Sequence, residues 1–64
     1  MNEYAKNHYR YLAMEASDAT LKECKAHWAR TLSAALETGY EDMANLACSC
    51  LAVIAMEELR RESK

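Results

Sequence analysis

The sequence predicts an all-α protein built around a helical hairpin. The chain of 64 residues has no proline and one glycine, and it is rich in Ala, Leu, Glu, Lys and Met, which lose little freedom on entering a helix. No β-branched or aromatic run indicates strands. A hydrophobic content of 52% is too high for a disordered chain. A chain this short forms at most one domain with a marginal core, which oligomerisation, a metal or disulfides usually support.

The first helix is expected to run from about residue 3 to residue 38. Its apolar residues keep one heptad-like phase from Tyr11 to Ala35, and no glycine or proline interrupts them. A break at residues 17–20 is the alternative, because Thr20 and Glu23 fit a T-x-x-E capping box. We prefer the continuous helix.

A turn is predicted at residues 38–40, followed by a second helix over about 41–61. Gly39 follows the last periodic residues, where a residue in the left-handed conformation ends many helices. A second T-x-x-E box, formed by Thr38 and Glu41, can start the next helix. Near its end, Glu57 and Glu58 are expected to pair with Arg60 and Arg61 at spacings of three and four.

The second helix needs neighbours on two sides. Residues 43–56 are apolar nearly all round, whereas a surface helix has one apolar stripe. The hairpin leaves the N-terminal arm without an intrachain partner unless it folds back at residues 17–20. We therefore predict a symmetric homodimer, a helical bundle with a shared core. The predicted dimer or core residues are Leu21, Trp28, Leu32, Leu36, Met43, Leu46, Cys50, Val53 and Ile54.

Charge and cysteine content narrow the function classes and the compartment. A net charge of −2 and a pI of about 5.6 argue against binding to nucleic acid or anionic membranes, which draws on a basic excess. The longest apolar run is shorter than the ~20 residues that span a bilayer. The N-terminus lacks the pattern of a signal peptide. With an odd number of cysteines, the cytoplasm is expected, where thiols stay reduced.

No catalytic, cofactor or metal site is predicted. Cys24, His27, Cys48 and Cys50 are potential zinc ligands by residue type, but Cys48 and Cys50 lie ~200° apart on a helix. Buried cysteines acting as small hydrophobes are the simpler interpretation. The carboxylates scatter over several faces, and nothing resembles an oxyanion hole. We therefore expect a protein that is not an enzyme and needs no cofactor.

The predicted function is binding to another protein through the aromatic N-terminal arm. Tyr4, His8 and Tyr11, with Arg10 beside them, are the predicted contact residues, because Tyr and Arg are favoured at binding hot spots.

The alternative is a dimeric helix-turn-helix-like DNA-binding regulator. Ala35 and Gly39 have the Ala-x-x-x-Gly spacing of such motifs, which would make the last helix the recognition helix. Against it, that helix opens with Glu41 and Asp42, and Asn45 stands where the motif usually has an apolar residue.

In length, acidity and Ala-rich helical character, the whole chain resembles the small accessory proteins of the exo–xis early region of lambda-type bacteriophages. The resemblance implies a small helical factor in the host cytoplasm that modulates the host cell cycle or lysis–lysogeny development by binding host proteins. It assigns no role to any single residue.

Overall fold

Three helices joined by two tight corners make up the described part of the chain. The computed structural model describes residues 3–63, except the side chains of Glu3, Tyr4 and Lys6. The helices are α1 (Glu3–Glu15), α2 (Asp18–Thr38) and α3 (Glu41–Glu62). Within residues 3–63 there is no strand, so the predicted all-α class is confirmed. The molecule measures 39 × 24 × 16 Å along its principal axes.

The preference for one continuous first helix is wrong, because the chain breaks after α1. Ser17 has an extended backbone (φ −69°, ψ 163°), and its Oγ accepts a hydrogen bond of 3.2 Å from the Thr20 backbone N–H. That contact makes Ser17 the N-cap of α2. The start of α2 therefore lies at the predicted alternative break, but Ser17 forms the cap in place of the Thr20–Glu23 box.

Gly39 forms the second corner, between α2 and α3. Its φ is +74°, a left-handed conformation that side chains with a Cβ rarely adopt. The Tyr40 N–H donates to the carbonyl of Ala35 at 2.9 Å, which closes the end of α2. The predicted T-x-x-E box does not form, because Tyr40 is the N-cap of α3 and the Thr38 hydroxyl donates back to the carbonyl of Ala34.

α3 lies between α1 and α2 and packs against both. The two neighbours that its apolar surface requires are thus supplied within one chain, by α2 along its length and by α1 folded back at Ser17. At the centre, the buried side chains of all three helices meet in one cluster. Its members are Ala13, Leu21, Val53 and Ile54, with Tyr9, Ala16, Cys24 and Trp28 packed against them.

The burial of the predicted core residues depends on their distance from the second corner. Leu21, Cys50, Val53 and Ile54 are buried, and Trp28, Leu32 and Leu46 are partly buried. Leu36 and Met43, near the corner, are exposed by 67% and 37% and lie outside the core of the single chain. The reason is that small side chains bring α2 and α3 together there. The buried residues at this end are Ala35, Ala44 and Ala47.

Candidate functional site

α1 has an inner side that packs on the rest of the molecule and an outer side that faces solvent. Tyr9, Ala13 and Ala16 recur at helical spacing and point inward, where Ala13 is buried and the other two are partly buried. Tyr11 lies on the opposite side of the helix and is 59% exposed. Folding back therefore covers one side of the arm and leaves its outer side open.

The predicted contact residues fall into two groups on α1. His8, Arg10 and Tyr11 are all exposed, whereas the side chain of Tyr4 lies outside the described residues. His8 and Tyr11 project within about 60° of each other, but Arg10 is about 100° from Tyr11, because a helix turns ~100° per residue. The structure therefore places His8 and Tyr11 together and turns Arg10 toward α3.

Arg10 lies at a small cleft between α1 and α3 that sequence reasoning did not find. The cleft has a volume of about 90 Å³. Its lining residues are Arg10, Met14, Val53, Met56 and Glu57. Met14 and Met56 are about half exposed, which extends the apolar surface around the outer side of α1. Met14 was not among the predicted core or contact residues, and its place at this cleft follows from the folding back of α1 at Ser17.

Tyr9 joins α1 to α2 through Trp28. The indole Nε1–H donates to the Tyr9 hydroxyl at 3.0 Å, and the rings meet edge to face with centroids 6.5 Å apart. This is a favourable aromatic geometry. Burial raises the pKa of the Tyr9 phenol, although the hydrogen bond from Trp28 acts in the opposite direction. Tyr9 is therefore structural, whereas Tyr11, two residues along, is available for binding.

Arg61, on α3, closes the corner between α1 and α2. Its Nη2 donates to the carbonyls of Ala13 at 3.2 Å and Ala16 at 2.5 Å, and its Nη1 donates to Asp18 Oδ1 at 2.5 Å. The last turn of α1 contains no basic residue. Arg61 supplies the positive charge and the donors that the end of a helix favours.

Glu57 holds Arg61 in place. Its carboxylate accepts hydrogen bonds from Arg60 at 2.7 and 2.9 Å and from Arg61 at 2.6 Å. The hydrogen bonds from Arg60 and Arg61 lower the pKa of Glu57 to about 2. The predicted pairing of Glu57 with both arginines thus forms, whereas Glu58 pairs with Lys25 on α2. The contacts of Arg61 with α1 were missed, since they join residues more than 40 positions apart.

A second exposed apolar surface lies at the opposite end of the molecule. Leu36, Tyr40 and Met43 project there beside the α2–α3 corner. A shallow groove of about 300 Å³ runs next to them. Its lining residues are Thr31, Ala34, Ala35, Thr38, Tyr40 and Met43. This end carries apolar side chains comparable to those of the α1 face and provides a matched control for it.

The potential zinc ligands do not come together. Among the side chains that the structure describes, no three of His, Cys, Asp or Glu are grouped to hold a metal ion. Cys48 is exposed and Cys24 is partly buried. Cys50 is buried, and burial raises the pKa of its thiol.

Each helix in the described range is too short or too polar for a membrane span.

Comparisons of the chain with protein-family models, with curated proteins and with solved structures found no match.

Proposed function

We propose that this chain is a small non-enzymatic protein-interaction module that binds another protein through the outer face of α1. Following the resemblance to phage exo–xis accessory proteins, we propose that it acts in the cytoplasm of the host cell. There it would modulate the host cell cycle or lysis–lysogeny development by binding a host protein. We also propose that it assembles as a homodimer.

The observation that carries the proposal is the exposure of Tyr11 on a helix whose other side is fixed. Tyr9 and Ala13 pack α1 on the core, so its outer face is directed toward solvent. His8 lies beside Tyr11, and Met14 is close by. A tyrosine offers a large contact area with few rotatable bonds, and methionine adapts to different partner shapes. The fold itself does not require the Tyr11 ring to be buried.

The test is whether changes on this face remove one defined partner without altering the fold. We expect the chain to retain a protein from host lysate, and that protein is then purified and its Kd for the chain measured. The double variant Tyr4→Ala, Tyr11→Ala should weaken binding by at least tenfold, since hot-spot aromatics cost more than ~1.4 kcal/mol when truncated. Its circular dichroism and urea midpoint should stay close to those of the wild type.

The matched control is Leu36→Ala with Tyr40→Ala, which removes comparable apolar surface at the opposite end. This control should bind the purified partner like the wild type. Loss of binding in the control, with the α1 variant unaffected, would place the contact at the α2–α3 corner. Loss of helicity in the α1 variant would mean that the changed residues are structural.

The alternative, a dimeric helix-turn-helix-like DNA-binding regulator, is not favoured by any contact. α3 would have to enter a DNA groove, yet two of its faces lie against α1 and α2, and its first turn carries Glu41 and Asp42. Binding to a duplex at low salt that weakens steeply as salt rises is the result that would support it.

A further inference from the structure

α1 is attached to the other helices by few large side chains. Among the side chains that the structure describes, its inner side consists largely of alanines, and Tyr9 is the large one that packs on the central cluster. Alanine buries little apolar surface. Among the described contacts, the Trp28–Tyr9 hydrogen bond and the guanidinium of Arg61 at the corner therefore contribute strongly to the attachment of α1.

The backbone groups of this corner have two possible sets of partners. In the closed corner, the carbonyls of Ala13 and Ala16 accept from Arg61 Nη2, and the Thr20 N–H donates to Ser17 Oγ. In an uninterrupted helix, each carbonyl accepts from the N–H four residues further on. The Ala13 carbonyl would then pair with the N–H of Ser17, and the Ala16 carbonyl with that of Thr20. Arg61 and the Ser17 hydroxyl thus form hydrogen bonds with backbone groups that would pair with other backbone groups in a continuous helix.

The sequence permits the continuous helix. No glycine or proline occurs between residues 3 and 38, and the two residues outside helices, Ala16 and Ser17, are compatible with a helix interior. Because α1 packs mainly on α3 and contacts α2 chiefly through the Tyr9–Trp28 pair, an α1 from a second copy can occupy the same position with the same contacts. Exchange of an identical element is a low-cost route to a dimer.

We propose that Arg61 is a latch that selects between the closed monomer and an exchanged dimer of this chain. When Arg61 leaves the corner, α1 and α2 join into one helix, and α1 packs on α3 of a second copy. The inference rests on the homodimer in the proposed function and not on the outer face of α1. Its test measures association of the pure chain, so its failure would leave partner binding to be judged separately.

The surface area of the single chain supports a second copy as the occupant. The chain exposes 4791 Å², whereas a compact monomer of 7.3 kDa exposes about 4,200 Å². The surplus is on the order of 600 Å², close to the lower end of what each partner buries in a stable dimer. The surface of α3 that α1 covers stays covered in both forms, by the chain's own α1 in the monomer and by that of the second copy in the dimer. The straightened corner brings further surface of the two copies together.

The key variant is Asp18→Pro, because proline at this position is compatible with the backbone of the closed corner but not with a continuous helix. Asp18 is the first residue of α2, where proline is favoured, and Ser17 before it already has the extended backbone that precedes proline. In a continuous helix, proline at this position would remove a backbone hydrogen bond and clash with the preceding turn. Asp18→Ala removes the same carboxylate without blocking the helix and is the matched control.

Sedimentation equilibrium and circular dichroism on the same samples decide the question. We expect Arg61→Ala to dimerise at roughly a hundredfold lower concentration than the wild type, since each of the two copies no longer has to give up a charge-assisted hydrogen bond worth about tenfold. Arg60→Ala, whose described hydrogen bonds both go to Glu57, should behave like the wild type. Adding Asp18→Pro to Arg61→Ala should abolish the dimer, whereas adding Asp18→Ala should not.

Three results would overturn the proposal. Arg61→Ala could remain monomeric at every concentration, or it could lose helicity without associating. Its dimer could also persist with Asp18→Pro in place, which would mean that the copies meet through another surface. Because Asp18→Pro alone should keep wild-type helicity, a loss of helicity in that variant would also count against the closed corner described above.

Discussion

Replacing Ile54 by alanine tests whether the central cluster holds the three helices together. Ile54 is 1% exposed and contacts the cluster that contains Ala13, Leu21 and Val53. It lies on the central helix, so its side chain supports the contacts of α3 with both neighbours. The substitution removes three buried carbon atoms without introducing a polar group.

The expected loss is large compared with the stability of so small a protein. Three buried carbons correspond to about 2.4 kcal/mol of transfer free energy at ~0.8 kcal/mol each, and the cavity left behind raises the total to about 3–4 kcal/mol. At ~0.05–0.15 kcal/mol per residue, the whole chain has about 3–10 kcal/mol of stability. Ile54→Ala should therefore remove at least about a third of the stability, and all of it if the total lies at the lower end of this range.

Urea unfolding followed by far-ultraviolet circular dichroism measures this loss. Ile54→Val, which removes a single carbon, should cost about 1 kcal/mol and keep a cooperative transition. The control is Leu59→Ala on the same helix, where the side chain is 63% exposed and the expected change is within ~0.5 kcal/mol. A cost below 1 kcal/mol for Ile54→Ala, or an equal cost for Leu59→Ala, would refute the packing described above.

Three further predictions concern acid stability, the second corner and the thiols. The ionised form of Glu57 is favoured in the folded state, so its contribution is complete above the ordinary pKa of 4.5 and is lost as pH falls toward 2; the urea midpoint should drop less over this range in Glu57→Gln than in the wild type. Gly39→Ala should cost about 1 kcal/mol in urea unfolding, because φ is +74° while a Cβ there meets nothing within 4 Å; an unchanged midpoint would contradict this strain. Exposed Cys48 should react with Ellman's reagent far faster than Cys50, whose thiol is buried and has a raised pKa; equal rates would show that the core opens readily.

Local sequence signals predicted the helices but not the packing that breaks one of them. The absence of proline and the position of Gly39 were sufficient for the all-α class and the second corner. The need of α3 for two neighbours could also be read from residues 43–56. The sequence offered the break near Ser17 only as the alternative and could not decide for it, because the carbonyls of Ala13 and Ala16 are satisfied by Arg61, which is distant in sequence. The regular spacing of apolar residues through this segment is compatible with both the broken and the unbroken helix.

Sequence reasoning named residues on the outer side of α1 but not their positions relative to one another. Exposed His8 and Tyr11 follow from the arm, but the separation of Arg10 from them depends on how α1 packs on α3. Leu36 and Met43 were assigned to the core or dimer by their hydrophobicity. The close approach of α2 and α3 through small side chains leaves them outside the single-chain core, and periodicity alone does not show which side chains set the distance between helices.

The connection between Arg61 and the end of α1 also determines when α1 can be secured during synthesis. The ribosome makes Ala13 48 residues before Arg61, and at ~5–20 residues per second this interval is about 2–10 s. Throughout that time α1 lacks its guanidinium contact, and for most of it α1 also lacks the α3 surface on which it packs. Under the proposed exchange, unsecured α1 segments on neighbouring ribosomes of one messenger RNA would lie close together, and the balance between self-closure and exchange would depend on how densely the message is translated.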